Sequence, residues 1–244
     1  MQNHIGRNFA AVVIFCALFS TACLGVDEQL KAPRGDLFQS LCYDLKGLPA
    51  DVWQDSKDTY LKRDNLIALL LAGGASIALH STDADKNIAE NFERHRSFGS
   101  QGADNAFNIL GNPGIHFAAT GVWYALAYQA QNEVSRERAW TMMHALATTG
   151  AMTVLLKGIV HNHTPNGSNW AWPSGHTSSS FTVASVLDEF YGPTVGIPAY
   201  AGASLVAWRM MDTGDHWASD VVFGAVLGWV VGHTVAGKHK EIEI

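Results

Sequence analysis

From Val221 to Gly237 the chain carries no ionised side chain, and between Trp140 and Trp208 the only ones are Lys157, Asp188 and Glu189. Segments so poor in charge must be covered, either by one another or by lipid. Across all 244 residues only 16% are charged, against about 25% in an ordinary soluble domain, while 48% are hydrophobic. That balance excludes a disordered or linker-like chain. The formal net charge of −6 gives no electrostatic footprint for nucleic acid. The length suits a single core that needs no disulfide or metal staple.

No segment shows the strict alternation of a half-buried strand, so the expected class is all-α. Candidate helices run over 65–80, 114–131, 136–159, 177–190, 197–211 and 217–236. Their limits are set by Asn112-Pro113-Gly114, Thr164-Pro165-Asn166-Gly167 and Gly192-Pro193, none of which continues a helix. The uncharged stretches reach only the lower end of the 17–25 residues that cross a bilayer. A soluble bundle and a membrane-embedded one both remain open at this point. Gly224, Gly228 and Gly232, four residues apart, form a stripe on which another helix can pack closely.

The N-terminus reads as an export signal over 1–22. Arg7 supplies positive charge, Phe9 to Phe19 an apolar run, and Ser20-Thr21-Ala22 a small-residue cleavage pattern. The expected location is therefore the cell envelope, periplasmic or membrane-associated. Cys23 would then lead the mature chain, as a candidate acylated lipoprotein cysteine or as a disulfide partner for Cys42. A surface arm with short helices is expected over 23–63, a helical domain over 64–237 and a polar tail over 238–244.

Three short segments carry chemistry. The first is Lys157 with Pro165 eight residues on. The second is Pro173-Ser174-Gly175-His176, in which Ser174 is a good N-cap, Gly175 leaves the backbone open to a ligand, and the free amides of the next helix point at an anion. His176 stands at the edge of that anion site, where a protonated imidazole can donate to a leaving oxygen. The third is Arg209 followed by His216-Trp217-Ala218-Ser219-Asp220. His216 and Asp220 are four apart and share a helix face. Asp220 can hold the N–H of His216 and leave its other nitrogen free to attack. A nucleophilic histidine, an acidic histidine and an anion site together suit phosphoryl transfer. Taken singly, each segment is also compatible with an ordinary capped helix or a surface pair.

The order and spacing of these segments resemble the type 2 phosphatidic acid phosphatase and vanadium haloperoxidase superfamily, whose motifs are K-x6-R-P, P-S-G-H and S-R-x5-H-x3-D. The resemblance covers residues 64–237. It implies a six-helix core bundle and a metal-independent phosphatase working through a phosphohistidine. Lys157, Ser174 and Gly175 would hold phosphate oxygens, His176 would protonate the leaving group, His216 would attack phosphorus and Asp220 would orient it. No cofactor is implied, and vanadate would act as an inhibitor. The implied substrate is a phosphomonoester or pyrophosphate, on a lipid or a small molecule, met at a membrane surface.

Two positions depart from the pattern. Thr164 stands where the first motif has arginine, and six residues separate Arg209 from His216, which puts Met210 at the family's arginine position. A turn at Asp212-Thr213-Gly214 would absorb the extra residue and let Arg209 reach the site. For the charge missing at Thr164, His163 or His161 is the expected substitute, giving activity that favours mildly acidic pH. A zinc site built from His161, His163 and Asp215 or His216 is a weaker reading of the same residues.

The remaining conspicuous residues read as structural. His116 and His144 are expected as satisfied core groups, and Arg94 and Arg96 as a solvated face. Trp170, Trp172 and Trp217 would wall an acyl groove or fill the core. The sequence thus points to an exported phosphatase. Its alternatives are a vanadate-dependent haloperoxidase and a non-catalytic envelope protein that binds anions or lipids.

Overall fold

The computed structural model describes residues 36–96 and 101–242. The export signal, Cys23 and the start of the expected arm lie outside the described residues. Within them the chain forms nine helices and no strand: α1 (Leu37–Tyr60), α2 (Arg63–Ser81), α3 (Ala84–Arg94), α4 (Gln101–Leu110), α5 (Pro113–Gln129), α6 (Glu133–Val160), α7 (Gly175–Tyr191), α8 (Pro193–Asp212) and α9 (Ala218–Ile242). The six helices expected from the sequence are α2 and α5–α9, with ends moved by one to four residues except that α9 runs six residues further.

The ends follow from local chemistry. Asn112 and Asn132 cap α5 and α6 through their side chains, and Pro113 takes the first turn of α5, where no N–H is needed. Gly192, at φ +71°, ends α7, and Pro193 starts α8 directly after it.

Three features differ from the sequence expectation. The described part of the lead-in is one long helix, α1, instead of short surface helices. It buries Ser40, Cys42, Asp55 and Thr59, and Cys42 is disulfide-bonded. Arg94 closes a helix, α3, and pairs with Glu90 on its own surface. The expected polar tail continues α9, and Lys238 holds Asp58 of α1 at 2.6 Å.

α9 is the axis of the bundle. Phe223, Leu227, Val231 and Val235 along it pack with Met142 and Leu146 of α6 and with Val186 and Phe190 of α7. Its glycine stripe faces α7, whose own contact face is Ser178, Phe181, Thr182 and Ser185. A Cβ at Gly228 would lie 2.1 Å from the Ser178 carbonyl oxygen, and one at Gly224 would lie 2.8 Å from that of Ser174. The two backbones therefore touch along a seam of small residues. This close approach brings the second and third sequence motifs together at one end of the bundle, where the Ser174 amide donates to the Asp220 carbonyl at 3.1 Å.

The outside of the bundle is unusually apolar. Leu70, Leu71 and Ile77 of α2, Val122 and Leu126 of α5, Ile159 of α6 and Ile197 of α8 are each more than half exposed. Three described helices, α2, α6 and α9, are long and apolar enough to cross a membrane. In α2 only 17% of the apolar window is buried by protein.

Candidate active site

His216 sits in the connection between α8 and α9, held by its own N–H to the Met210 carbonyl at 2.9 Å. Its Nδ1 donates to Asp220 Oδ2 at 3.1 Å, and the same carboxylate oxygen accepts from the Trp217 amide at 2.9 Å. Asp220 is fully buried and His216 nearly so. The carboxylate therefore fixes the tautomer and leaves the lone pair on Nε2, facing into the site. Burial holds His216 below the ordinary histidine range, and the Asp220 hydrogen bond opposes that shift.

Across the α7–α9 seam, Ser174 caps α7 by accepting from the Thr177 amide at 3.3 Å and from the Thr177 hydroxyl at 3.0 Å. Gly175 and His176 form the first turn. His176 Nε2 is buried and has no hydrogen-bond partner. Burial comes first in pushing His176 down to about 3, and the nearby His216, Arg209, His116 and Lys157 push the same way. A polar atom left unsatisfied in this way costs about 1–3 kcal/mol. A group that brings negative charge and an oxygen acceptor to this spot repays that cost.

The cations come from two other helices. Lys157, near the end of α6, donates to the carbonyls of Trp170 and, at 2.9 Å, Ala171. Its charge is felt by both His176 and His216. Arg209, in the last turn of α8, is 5% exposed and acts on His176. The Thr213-Gly214 turn carries the additional residue, with Gly214 at φ +71°. Met210, at the family's arginine position, is instead buried against Ala207 and Val221.

Arg209 is held by two carboxylates: Nε donates to Asp104 at 2.7 Å and Nη1 to Asp215 at 2.5 Å. Thr213 and Asn166 hold Asp215 in turn, each at 2.9 Å. The sequence singled out neither aspartate as an arginine partner. Asp104 is 105 residues from Arg209 and no spacing announces it, whereas Asp215 could have been suspected from its place beside His216.

The structure thus gathers Lys157, Ser174, Gly175, His176, Arg209, His216 and Asp220 at one end of the bundle. It places the two loop histidines differently. His163 is exposed and meets the site through its carbonyl, which accepts from Trp217 Nε1 at 2.7 Å. His161 is an exposed left-handed cap whose ring lies edge-on to Trp170. Thr164 is buried, with its hydroxyl donating to Asn166, and its work is to shape the loop.

A second layer also escaped the sequence. Asp85 of α3, buried, accepts from the amide and hydroxyl of Ser219 at the start of α9. Ser76 donates to the Ser219 carbonyl and accepts from Trp172 Nε1. His116 donates from Nε2 to the Leu110 carbonyl at 2.7 Å, leaving Nδ1 buried and unpaired. It is thus only half satisfied.

A carboxylate-held histidine, a capped helix start and two cations gathered at one end of a helical bundle are an arrangement chemically suited to phosphoryl transfer. The comparisons agree in kind. Residues 153–242 match the family model of the PAP2 superfamily. A 65-residue stretch is 37% identical to the lipid A 1-phosphatase of Porphyromonas gingivalis, taking in 25% of this chain and 15% of that protein. Among solved structures, a transmembrane PAP2-type phosphatidylglycerolphosphate phosphatase from Bacillus subtilis superposes with a TM-score of 0.62. That superposition covers 72% of this chain and 94% of the other at 20% identity, a likeness of fold.

Proposed function

We propose that the protein is a membrane-embedded phosphatase that removes a phosphoryl group from a lipid phosphate. The observation that carries this reading is the pairing of His216, its Nε2 freed by Asp220, with a buried and unpartnered His176 Nε2 at the start of α7. Lys157 and Arg209 supply positive charge around the same spot. Both relatives are lipid phosphatases by name, and the exposed apolar faces of α2, α5 and α8 suit lipid contact.

In this mechanism the phosphate lies against the free amides of the first turn of α7, with Lys157 and Arg209 balancing its charge. The dianion raises the proton affinity of His176. The lone pair of His216 Nε2 attacks phosphorus, the bond from phosphorus to the lipid oxygen breaks, and His176 gives its proton to that oxygen. Asp220 stabilises the imidazolium character that develops on His216. Water then attacks the phosphohistidine, its proton passing to His176, and inorganic phosphate leaves. The residues carrying these steps require no metal ion or cofactor. Orthovanadate, which adopts the geometry of the five-coordinate transition state, is expected to inhibit.

The test is phosphate release by the purified protein in detergent, from phosphatidic acid, phosphatidylglycerol phosphate and a polyprenyl pyrophosphate. Release that resists EDTA, is blocked by vanadate and is lost in His216→Ala supports the proposal. Halide oxidation with peroxide and vanadate would replace it with a haloperoxidase. Silence in both assays would leave an anion- or lipid-binding protein.

A further inference from the structure

At the opposite end of α9 a second group of titratable side chains lies outside the phosphoryl-transfer site. Asp55 of α1, His144 of α6 and His239 of α9 offer ligand atoms that all lie within 4.8 Å of one another. Asp220 and His239 are nineteen residues apart on one helix, so about 29 Å separates the two sites at the 1.5 Å helical rise. This cluster therefore does not serve the chemistry at His216.

Its internal geometry is that of a prepared metal ligand. Asp55 and His144 are only 3% and 2% exposed. His144 Nδ1 donates to Asp55 Oδ2 at 2.7 Å, which places the lone pair on Nε2. That nitrogen is buried and has no hydrogen-bond partner. The ring of His239 stands edge-on to it, 5.0 Å between centroids. A carboxylate behind a histidine, fixing its tautomer and strengthening it as a donor, is the usual second support of a metal-bound imidazole.

Alternative occupants are poorly served. A buried imidazole lone pair beside another imidazole gains a hydrogen bond only if the His239 ring turns an N–H toward it. The surrounding charge favours a cation: Asp51 and Asp55 act on His239 from α1, against Lys238. Lys238 lies 2.6 Å from Asp58 and 3.9 Å from Asp55, so its main partner is Asp58.

We propose that His144 and His239, with Asp55 behind His144, form a binding site for a divalent transition-metal ion of the zinc type, which ties α1, α6 and α9 together at the end of the bundle remote from His216. Imidazole nitrogens are ligands such ions prefer, and Asp55 stays on Nδ1 as the support of His144 Nε2. Tetrahedral ligands at about 2.0–2.1 Å stand about 3.4 Å apart. The two imidazole nitrogens must close to that separation, and His239, partly exposed near the end of α9, is free to make that movement.

The experiment strips the purified full-length protein with EDTA, dialyses it against ZnCl2 and then buffer, and measures bound metal by mass spectrometry and thermal unfolding by circular dichroism. The wild type is expected to retain about one equivalent of Zn2+ and to unfold several degrees higher than its stripped form. His239→Ala, at the partly exposed position, should keep the helical spectrum and lose both the metal and the shift. Asp55→Asn should weaken retention at least tenfold. Retention below half an equivalent in the wild type overturns the proposal, and so does retention in His239→Ala equal to that of the wild type. The second result would place the metal on loop histidines such as His161 and His163.

Discussion

Replacing Gly228 by alanine tests whether the small-residue seam positions the site. The added methyl would sit 2.1 Å from the Ser178 carbonyl oxygen, 2.8 Å from the Thr182 nitrogen and 3.0 Å from Phe181 Cβ. Two of these three atoms are backbone, so no side-chain rotation relieves the clash. Real Cβ atoms essentially never approach closer than 3.0 Å, so α9 must retreat from α7 by at least about 0.9 Å. Overpacking of this kind costs about 1–3 kcal/mol. The site responds more sharply, because the Ser174 amide to Asp220 carbonyl bond at 3.1 Å crosses the same seam. A misplacement near an ångström is worth about 10²-fold in rate. We expect Gly228→Ala to lower the melting temperature and to reduce kcat/KM for lipid phosphate by about two orders of magnitude. Gly202→Ala in α8, where nothing lies within 4 Å, should be neutral or stabilising by about 0.5–1 kcal/mol through helix propensity. Wild-type melting and kcat/KM in Gly228→Ala would refute the argument that this seam sets the geometry.

Other consequences follow from individual side chains. Asp220→Asn removes the carboxylate that holds His216 Nδ1–H and should lower kcat by about 10²–10⁴-fold with little change in KM, read from steady-state phosphate release. Because burial lowers the His216 pKa while Asp220 raises it, the acid limb of kcat/KM should lie below the ordinary histidine range. It should move further down in a residually active Asp220→Asn, as a pH profile would show. Arg209→Ala leaves Asp104 and Asp215 without their shared cation and should lower stability in chemical unfolding by less than the about 3–5 kcal/mol of a fully buried pair, because the two carboxylates are 31% and 27% exposed. Arg209→Lys should recover only part, because one ammonium cannot reproduce the two-sided guanidinium contact. His163→Ala should leave phosphate affinity and the pH optimum nearly unchanged, since His163 reaches the site by its carbonyl. A loss of affinity at pH 5–6 would restore the imidazole as the substitute for the arginine missing at Thr164.

Much of the fold was legible because it rests on local signals. Charge scarcity, Pro and Gly punctuation and the four-residue glycine spacing mark six helices and the seam. The histidine–carboxylate dyad was legible because its partners are four residues apart on one helix start. The features that escaped are those with no short-range trace. Asp104 and Asp85 reach Arg209 and Ser219 across 105 and 134 residues, and only the packing of α3 and α4 against α8 and α9 brings them there. α3 was missed because its charged sequence, ADKNIAENFER, reads as a solvated loop, although Asp85 within it is buried. α1 was missed because its internal Pro49 looked like a break. His144 was read as a satisfied core residue, and only the coordinates show that one of its nitrogens is paired and the other is not.

His216 is the group proposed to take the phosphoryl. The most direct measurement is to quench the purified His176→Ala variant during turnover of p-nitrophenyl phosphate, whose leaving group needs no proton from His176, under alkaline conditions that preserve phosphohistidine, and to map phosphate on its peptides by mass spectrometry. Without His176 to assist the attacking water, phosphate is predicted to accumulate on His216, with none in the His176→Ala/His216→Ala double variant. Phosphate release by a His216→Ala single variant at the wild-type rate, or label trapped on any other residue, would contradict that role.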